Sequence, residues 1–425
     1  MRNNSNRLCL ATAITVCFVA PAMAQAPAAG GVSYELGKIE TNSLINSATG
    51  TLLSAIPQGA GGFKTESGIT LYPSVAVGIG FNDNLNLTSA NKVSSNFVNI
   101  SPTLLAAMNY KGDRYTALAS MDTVSYPSNS LDNTRASAFK LAADKYFSTR
   151  ARGGLSAEYN TGTSSRDANV PSAEPDRYHG SALNGTFAYG AAGAKGRLEA
   201  DAGLTNKTFD NNRAKTALLD LDVTSVAGRA FVKVGGRTLG LVEVSNAKTN
   251  YVSALSQNLN NTERKYYLGL TWDATAATTG IVKVGRMTKD FDSGKQGYSG
   301  ASWDASVRWL PRTYSAFTLQ TSKNTADTTD AASFSYSLNT ATNLSWNHSW
   351  SSVISTSASV GVSNATYPGT LKADVNTNTY SLGASYAFRR WLSLGVDFTN
   401  TDATSSNPLS AYKKNVTMFT LNASL

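Results

Sequence analysis

Apolar and polar side chains alternate along the chain from residue 69 to its end. In the segment 69–81, most odd positions are apolar, including Ile79 and Phe81, whereas the even positions are mostly small or polar. The segments 301–309 and 392–399 repeat this pattern. Successive side chains of a β-strand point to opposite faces, so a period of two predicts strands with one apolar and one polar face.

The alternation divides into about eighteen predicted strands, with sixteen as the alternative count. The segment 215–233 changes the parity of its apolar positions near Gly228, which predicts a β-bulge at that point. The predicted strands are 69–82, 96–110, 113–125, 134–147, 150–161, 179–190, 195–208, 215–233, 237–248, 263–274, 279–291, 300–310, 313–324, 332–346, 351–364, 376–388, 391–402 and 413–425.

Short and long connections between the predicted strands follow one another in turn. The connections at 111–113 and 389–390 are short, whereas those at 83–95, 162–178 and 249–262 are long and polar. Short periplasmic turns and long extracellular loops are typical of outer-membrane barrels. In lipid, an open sheet edge would leave backbone N–H and C=O groups without partners. We therefore predict an all-β fold, a closed antiparallel transmembrane β-barrel.

The residues before the barrel divide into two predicted segments. Arg2 and Arg7 precede an apolar stretch at 8–20 and an Ala-Met-Ala cleavage site at 22–24, which together predict a signal peptide over the first 24 residues. Residues 25–68 are rich in Ala, Gly, Ser and Asn and predict a periplasmic extension. The barrel would then occupy 69–425 of a protein in the outer membrane of a Gram-negative cell.

Cysteine content and charge narrow the classes of function. Both cysteines, Cys9 and Cys17, lie in the predicted signal peptide, so the mature chain would contain no thiol for a disulfide, a metal or catalysis. The formal charge of +9 loses only the charges of Arg2 and Arg7 when that peptide is removed. This excess suggests an anionic partner, an acidic polymer or lipopolysaccharide, while the absence of a basic run argues against nucleic acid.

Candidate catalytic residues are few. The two histidines are His179, at the end of a long loop, and His348, in a predicted periplasmic turn, so the topology places them at opposite mouths of the barrel. A solvated loop histidine is the simpler interpretation of each. No phosphate loop, zinc spacing or calcium loop is present. We expect neither enzymatic activity nor a cofactor or metal.

The candidate functional surface is therefore the inner wall of the barrel. Charged side chains on the lipid face cost about 2–4 kcal/mol near the bilayer midplane for Arg and Lys, so strand parity and energy both favour an inward orientation. Mixed charges among Ser, Thr, Asn and Tyr predict a hydrated wall that suits polar solutes or a sugar polymer. The lumen-facing candidates are Asp122, Lys140, Asp144, Glu158, Glu199, Asp201, Asp220, Asp222, Lys265, Lys283, Asp304, Arg308 and Asp397.

The first predicted hairpin carries a resemblance to a known family. A strand begins near Pro73 and ends in Phe81-Asn82-Asp83-Asn84, and Pro102 opens a similar second strand. This resembles the β-barrel porin family found beside exopolysaccharide export systems, over roughly residues 70–425. The resemblance implies passage of a secreted polysaccharide across the outer membrane, with a periplasmic export component delivering the polymer. It implies no catalytic residues.

The C-terminal strand points to one further partner. Phe419 and Leu421 continue the alternation to the last residue, as in the C-terminal signal that the outer-membrane insertion machinery reads, although Leu425 replaces the usual final aromatic residue. Three hypotheses for function follow: a polysaccharide-export barrel, a general or selective porin for small polar solutes, and a non-transport barrel such as an adhesin or structural protein.

Overall fold

The computed structural model describes residues 61–164, 174–191, 194–275, 277–328, 335–368 and 373–425. The predicted signal peptide and most of the predicted extension, up to residue 60, lie outside the described residues. The strands are β1 Phe63–Lys64, β2 Thr70–Asn82, β3 Ser95–Tyr110, β4 Asp113–Ser125, β5 Thr134–Tyr146, β6 Ala151–Thr163, β7 Arg177–Tyr189, β8 Gly196–Phe209, β9 Leu221–Lys233, β10 Thr238–Tyr251, β11 Asn261–Thr275, β12 Thr278–Phe291, β13 Tyr298–Arg312, β14 Ser315–Asp327, β15 Tyr336–Ser349, β16 Ile354–Tyr367, β17 Ala373–Arg389, β18 Leu392–Ser405 and β19 Tyr412–Ser424.

The long strands β2–β19 form one closed antiparallel sheet. Each pairs with its neighbours in sequence, and β19 pairs with β2 from Val416 opposite Asn82 to Ser424 opposite Ser74. The two-residue β1 adds to the start of β2. The predicted closed barrel of eighteen strands is thus confirmed over the alternative of sixteen, and all predicted strand limits but one lie within four residues of those observed. In the described part of the chain, no helix is long and apolar enough to cross a membrane.

The outer face of the sheet is apolar and exposed. Ile79 on β2 is 60% exposed, Leu268 on β11 is 65% exposed and Leu382 on β17 is 60% exposed. Large aliphatic side chains lie exposed in this way along nearly every strand, in alternation with residues of the opposite face. A continuous apolar surface of this kind would aggregate in water, whereas it matches the hydrocarbon core of a bilayer.

The predicted strand 215–233 is wrong at its beginning. Arg213–Thr216 forms a single helical turn, α1, which continues as a 3₁₀ turn to Leu219, so β9 starts only at Leu221. The segment from Arg213 to Leu219 is rich in Ala, Leu, Arg and Lys, which favour helix over strand.

The predicted bulge near Gly228 is also wrong, because β9 pairs without a register shift on both sides. The apolar parity changes because β9 is apolar on both faces. Val226 and Val232 are exposed on the outer face, whereas Leu221 and Val223 are buried on the inner face. The two buried residues pack in a cluster with Tyr251 and Leu259.

Side chains extend the seam between β2 and β19 beyond its last backbone pair. The backbone N–H and the Nδ2 group of Asn415 donate to the two carboxylate oxygens of Asp83, at 2.6 and 2.7 Å. Asn84, fully buried, donates from Nδ2 to the carbonyl oxygens of Lys413 and Thr88, both at 2.8 Å. The backbone N–H of Asp83 also donates to the carbonyl of Asn415 at 3.1 Å, so Asp83 and Asn84 continue the connection to β19 past the regular strand pairing.

An apolar cluster lies on the inner side of the same seam. Phe97, Tyr126, Met418 and Leu85 are buried together, with ring centroids of Phe97 and Tyr126 5.7 Å apart. Gly80 makes room for this cluster, because a Cβ atom there would lie 2.3 Å from Cζ of Phe97. Burial also raises the pKa of the Tyr126 phenol, which lies in the loop after β4.

The seam can be tested with Asn84→Ala. This change leaves the carbonyl of Lys413 and both backbone groups of Thr88 without their partner, and we expect it to lower the free energy of unfolding by about 1–3 kcal/mol. Denaturant unfolding of the barrel in lipid vesicles measures the effect. The control is Asn96→Ala on the exposed face of β3, with an expected change within about 0.5 kcal/mol. Equal shifts for the two variants would contradict the role of Asn84.

The barrel lumen as candidate functional site

Eleven of the thirteen lumen-facing candidates occupy the inward parity of their strands. The inward face of each strand is the one opposite its exposed apolar side chains, and cross-strand pairing carries this assignment from one strand to the next. Lys140, for example, lies between Phe139 and Leu141, which are 51% and 44% exposed. The eleven are Asp122, Lys140, Asp144, Glu158, Glu199, Asp201, Lys265, Lys283, Asp304, Arg308 and Asp397.

The assignment of Asp220 and Asp222 to the lumen wall is wrong. Asp220 lies before β9 in a loop, where it accepts a hydrogen bond from the backbone N–H of Phe209 at 2.8 Å and two from the guanidinium of Arg213. The hydrogen bond to Asp220 raises the pKa of Arg213. Asp222 has the outward parity of Val226 and is exposed. The error at Asp220 follows from extending the strand back to residue 215, across the helical turn, whereas the error at Asp222 follows from the apolar residues on both faces of β9.

Arg229 is the centre of a buried charge network on the inner wall. Its guanidinium contacts three carboxylates: Glu243 through Nε at 2.9 Å, Asp201 through Nη1 at 2.5 Å and Glu199 through Nη1 at 3.5 Å. The side chain of Arg229 is 5% exposed, and that of Glu243 is 2% exposed. Arg197 adds a second cation, with Nε 2.9 Å from Glu199.

The network continues across the neighbouring strands. Nζ of Lys283 on β12 lies 3.4 Å from Glu243 on β10 and 3.0 Å from Asp304 on β13. It spans β11, where its direct partner is Gly269, at which a Cβ would lie 3.1 Å from the Lys283 side chain. Its Nζ lies 5.3 Å from the ring centroid of Tyr267, the β11 partner of Glu243. The charged groups joined by these contacts on β8–β13 therefore offset one another along the wall, whereas Arg308 on β13 forms no ion pair with a described side chain.

Further buried pairs lie nearer the end of the barrel that carries the long loops. Lys289 on β12 contacts Asp327 on β14 at 2.6 Å, and Lys265 contacts Glu263 on the same strand at 2.8 Å. Thr325 donates a hydrogen bond to Glu263. On the other side of the network, Lys140 on β5 contacts Glu158 on β6 at 3.1 Å. We call these ion pairs on the inner wall of β5–β14 the charged arc.

Several members of the charged arc were not among the sequence candidates. Arg229 directly follows Gly228, where the sequence predicted a change of parity, and Glu243 follows Leu241 and Val242, which are apolar on opposite faces. Arg197, Glu263, Lys289 and Asp327 lie close to predicted strand ends. These residues could have been found by comparing the register of neighbouring strands, whereas parity within one strand was not sufficient.

The inner wall of β15–β18 has a different character. Between the strand ends, its inward positions carry mainly Ser, Thr, Asn and Gly, and we call this the hydroxyl arc. Neighbouring hydroxyls bond to each other, as in Ser355 with Ser385 at 2.7 Å and Ser381 with Thr399 at 3.2 Å. The inward residues are Asn339, Ala341, Asn343, Ser345, Asn347, Ser355, Ser357, Ser359, Gly361, Ser363, Thr377, Thr379, Ser381, Gly383, Ser385, Ser393, Gly395, Asp397, Thr399 and Thr401.

Asp397 is the charged residue among these described inward positions. It lies opposite Gly383, where a Cβ atom would be 2.6 Å from Oδ1 of Asp397 and 2.6 Å from Oγ of Ser357. Glycine therefore leaves space beside the carboxylate. Asp397 forms no ion pair with any side chain in the described part of the chain, in contrast to the carboxylates around Arg229.

The two histidines lie near opposite ends of the barrel, outside the inner wall. His179 is near the start of β7, with Nδ1 2.7 Å from Oδ1 of Asp210. His348 is on β15 rather than in a turn, and its ring packs between those of Trp346 and Trp350, at centroid distances of 5.4 and 4.3 Å. Within the described residues, no group of three or more His, Cys, Asp and Glu side chains could hold a metal ion.

The charge network can be tested with Arg229→Met. The substitution leaves three buried carboxylates without their shared cation, and we expect a loss of about 3–5 kcal/mol in the free energy of unfolding. Chemical unfolding in vesicles gives the value, and adding Glu243→Gln should recover part of the loss because the two residues are coupled. The control is Lys413→Met, which removes an ion pair with Asp402 in which the Lys413 side chain is 68% exposed. A surface ion pair of this kind contributes at most about 1 kcal/mol to stability. Similar losses in both variants would refute the network's role.

Comparison with solved structures finds similarity to transporters, receptors and porins at low sequence identity. The FrpB iron transporter from Neisseria meningitidis is 12% identical with a TM-score of 0.45, covering 78% of this chain and 62% of FrpB, so the chain spans less than two thirds of that protein. The siderophore receptor PirA from Pseudomonas aeruginosa is 9% identical with a TM-score of 0.44, covering 84% of this chain and 80% of PirA. A BenF-like porin from Pseudomonas fluorescens Pf-5 is 12% identical with a TM-score of 0.47, covering 86% of this chain and 100% of the porin.

Sequence comparison gives the family. No curated protein matches the chain significantly. The model of the family described as "Putative beta-barrel porin 2" matches residues 58–425, which include every strand of the barrel. The chain belongs to this family of outer-membrane β-barrel porins.

Proposed function

We propose that the barrel passes a secreted exopolysaccharide across the outer membrane. In this proposal the predicted signal peptide exports the chain, and a periplasmic export component delivers the polymer to the mouth that carries the short turns. The polymer then moves along the lumen to the cell surface. The protein itself performs no covalent chemistry on it.

The observation that carries the proposal is the hydroxyl arc on β15–β18. Sugar hydroxyls both donate and accept hydrogen bonds, as do the Ser, Thr and Asn side chains of this arc. A polymer can therefore exchange one set of equivalent partners for the next as it moves, without a single tight site that would hold it. Barrels of sixteen to eighteen strands are wide enough to enclose an aqueous channel.

The charged arc supports the same proposal through its pairing. Its carboxylates and cations neutralise one another at distances of 2.5–3.5 Å, and most are buried against the wall. Such pairs give the wall rigidity and little net field, which suits a neutral or weakly charged polymer better than strong selection for ions of one sign.

A selective porin for small polar solutes is the second candidate. Arg308 on β13 and Asp397 on β18 face inward, and neither forms an ion pair with another described side chain. Two such unneutralised charges of opposite sign could orient a small zwitterionic or polar solute. This candidate needs no periplasmic partner and no polymer.

Deletion of the gene from its host separates the two candidates. We expect the polysaccharide on the cell surface to be lost, with its building blocks or polymer retained in the periplasm, because the only exit step is removed. Staining of surface polysaccharide and analysis of the periplasmic fraction measure the two pools, and a plasmid copy of the gene is the control. Normal surface polysaccharide together with slower uptake of small solutes would favour the porin instead.

A further inference from the structure

The two ends of the barrel carry opposite excesses of charge. The described residues of the short turns between strands contain no side-chain carboxylate but five cations, which are Lys111, Arg150, Lys195, Arg237 and Arg390. In the described parts of the long loops, seven carboxylates outnumber four cations: Asp83, Asp132, Glu174, Asp176, Asp210, Asp220 and Asp292 against Lys92, Arg213, Lys215 and Lys295. Short turns face the periplasm in outer-membrane barrels, so the periplasmic end is the basic one.

Four of the five turn cations lie in consecutive turns on one side of the barrel. Lys111 joins β3 to β4, Arg150 joins β5 to β6, Lys195 joins β7 to β8, and Arg237 joins β9 to β10. All four are exposed, and none forms an ion pair with a carboxylate in the described part of the chain. The turns below β3–β10 therefore present an unneutralised row of positive charge to the periplasm.

Positive charge continues from these turns onto the inner wall of the barrel. Arg114 on β4 has the inward parity of Leu118, which is buried, and Lys233 on β9 has the inward parity of Arg229. Arg114 is half-buried and Lys233 is exposed, and neither forms an ion pair with a described carboxylate. An anionic group that passes the turns would therefore meet further cations inside.

Two arginines of the same inner wall are held against aromatic rings. Arg152 on β6 pairs with Tyr146 on β5, and its guanidinium lies 5.9 Å from the ring centroid. Arg197 on β8 pairs with Phe231 on β9, with its guanidinium 4.1 Å from the ring centroid, and its Nε lies 2.9 Å from Glu199. The two arginines are close enough for their charges to repel each other, so a bound anion between them would relieve that repulsion.

These inner-wall and turn cations form one group at the periplasmic end of β3–β10. We call it the basic mouth, and it consists of Lys111, Arg114, Arg150, Arg152, Lys195, Arg197, Lys233 and Arg237. A guanidinium group binds a carboxylate through two parallel hydrogen bonds, and lysine adds a mobile point charge on a long stem. The basic mouth therefore has the chemistry to bind several carboxylates at once.

The placement of the cations indicates what kind of molecule carries those carboxylates. A folded protein seated on the turns would reach the cations at the turn tips and not those on the inner wall. A flexible chain that enters the lumen would meet the turn cations first and the inner-wall cations next. The continuity of positive charge from the turns into the lumen therefore favours a threaded polymer.

We propose that the basic mouth binds the carboxylate groups of an acidic polysaccharide, one that contains uronic acid residues, as the polymer enters the barrel. This inference rests on the proposed function and adds the chemical class of the polymer. Further along the wall, cations such as Arg229 and Lys283 are paired with carboxylates of the protein, so acidic groups are bound at entry and released beyond it. A polymer with carboxylates spaced among neutral sugars fits both the basic mouth and the hydroxyl arc.

Ionic current through the purified full chain in a planar bilayer of uncharged lipid tests this proposal. The probes are a hexamer of galacturonic acid and a neutral hexamer of glucose, each added at low salt to one side and then to the other. An oligomer that enters the lumen interrupts the current, so the frequency of interruptions measures its association rate. From one side, we expect the acidic hexamer to associate about tenfold or more faster than the neutral one. The difference should shrink in about 1 M salt, which screens the charges.

Matched variants separate the basic mouth from the overall charge of the barrel. R152Q/K233Q removes two cations that have no carboxylate partner among the described residues, so it leaves no acidic side chain unpaired, and it should lose most of the preference for the acidic hexamer. R152K/K233R keeps both charges and should retain the preference. K92Q/K295Q removes two exposed cations of the long loops and should leave the preference unchanged. If R152Q/K233Q does not fold, the exposed K233Q alone takes its place.

The outcomes separate this inference from the proposed function. Equal association of the two hexamers with the wild-type barrel would overturn the acidic polymer, leave the passage of a neutral polysaccharide intact, and favour an acidic protein surface as the partner of the turns. A loss of preference in K92Q/K295Q as large as that in R152Q/K233Q would also overturn the inference. A barrel that carries no current, or that neither hexamer interrupts, would contradict the proposed function and this inference with it.

Discussion

The hydrogen-bonding demand of the backbone in lipid is the constraint on which this structure depends. A strand within the hydrocarbon core has no water to satisfy its N–H and C=O groups, so the sheet is stable there only when its first and last strands meet. Here β19 meets β2, and the seam is completed by Asp83 and Asn84 where the backbone pairing ends. The Phe-Asn-Asp-Asn sequence that marks the first hairpin therefore has a structural role in closing the barrel.

Closure also decides where charge can lie. With lipid outside, most charged side chains of the strands turn inward, and the interior must then satisfy them. On β8–β13 it does so by sharing: Arg229 serves three carboxylates and Lys283 serves two. The β15–β18 side avoids the problem with neutral hydroxyl and amide groups. The proposed function uses the hydroxyl arc, while the charged arc gives the barrel a rigid side.

The strand pattern was predictable from sequence because one face of each strand meets lipid. Where that alternation is clean, as around Ile79, strand limits and inward candidates such as Asp304 followed from parity alone. Prediction from parity failed in β9, where both faces of the strand are apolar. Leu221 and Val223 pack inward under a loop while Val226 faces outward, so Arg229 was missed and Asp222 was misassigned. The pairing of Arg229 with carboxylates on two other strands depends on register, which a single strand's pattern does not encode.

Cysteine labelling tests most directly whether the barrel has lipid outside and water inside. The labelling is simple because the sequence contains no cysteine after the predicted signal peptide. Ser359 and Val360 are adjacent on β16, the first inward and the second 45% exposed on the outer face. In vesicles, Ser359→Cys should react with a charged, membrane-impermeant maleimide. A fluorophore on Val360→Cys should instead be quenched by a lipid-soluble quencher. Equal reactivity of both positions with the charged reagent would contradict the account.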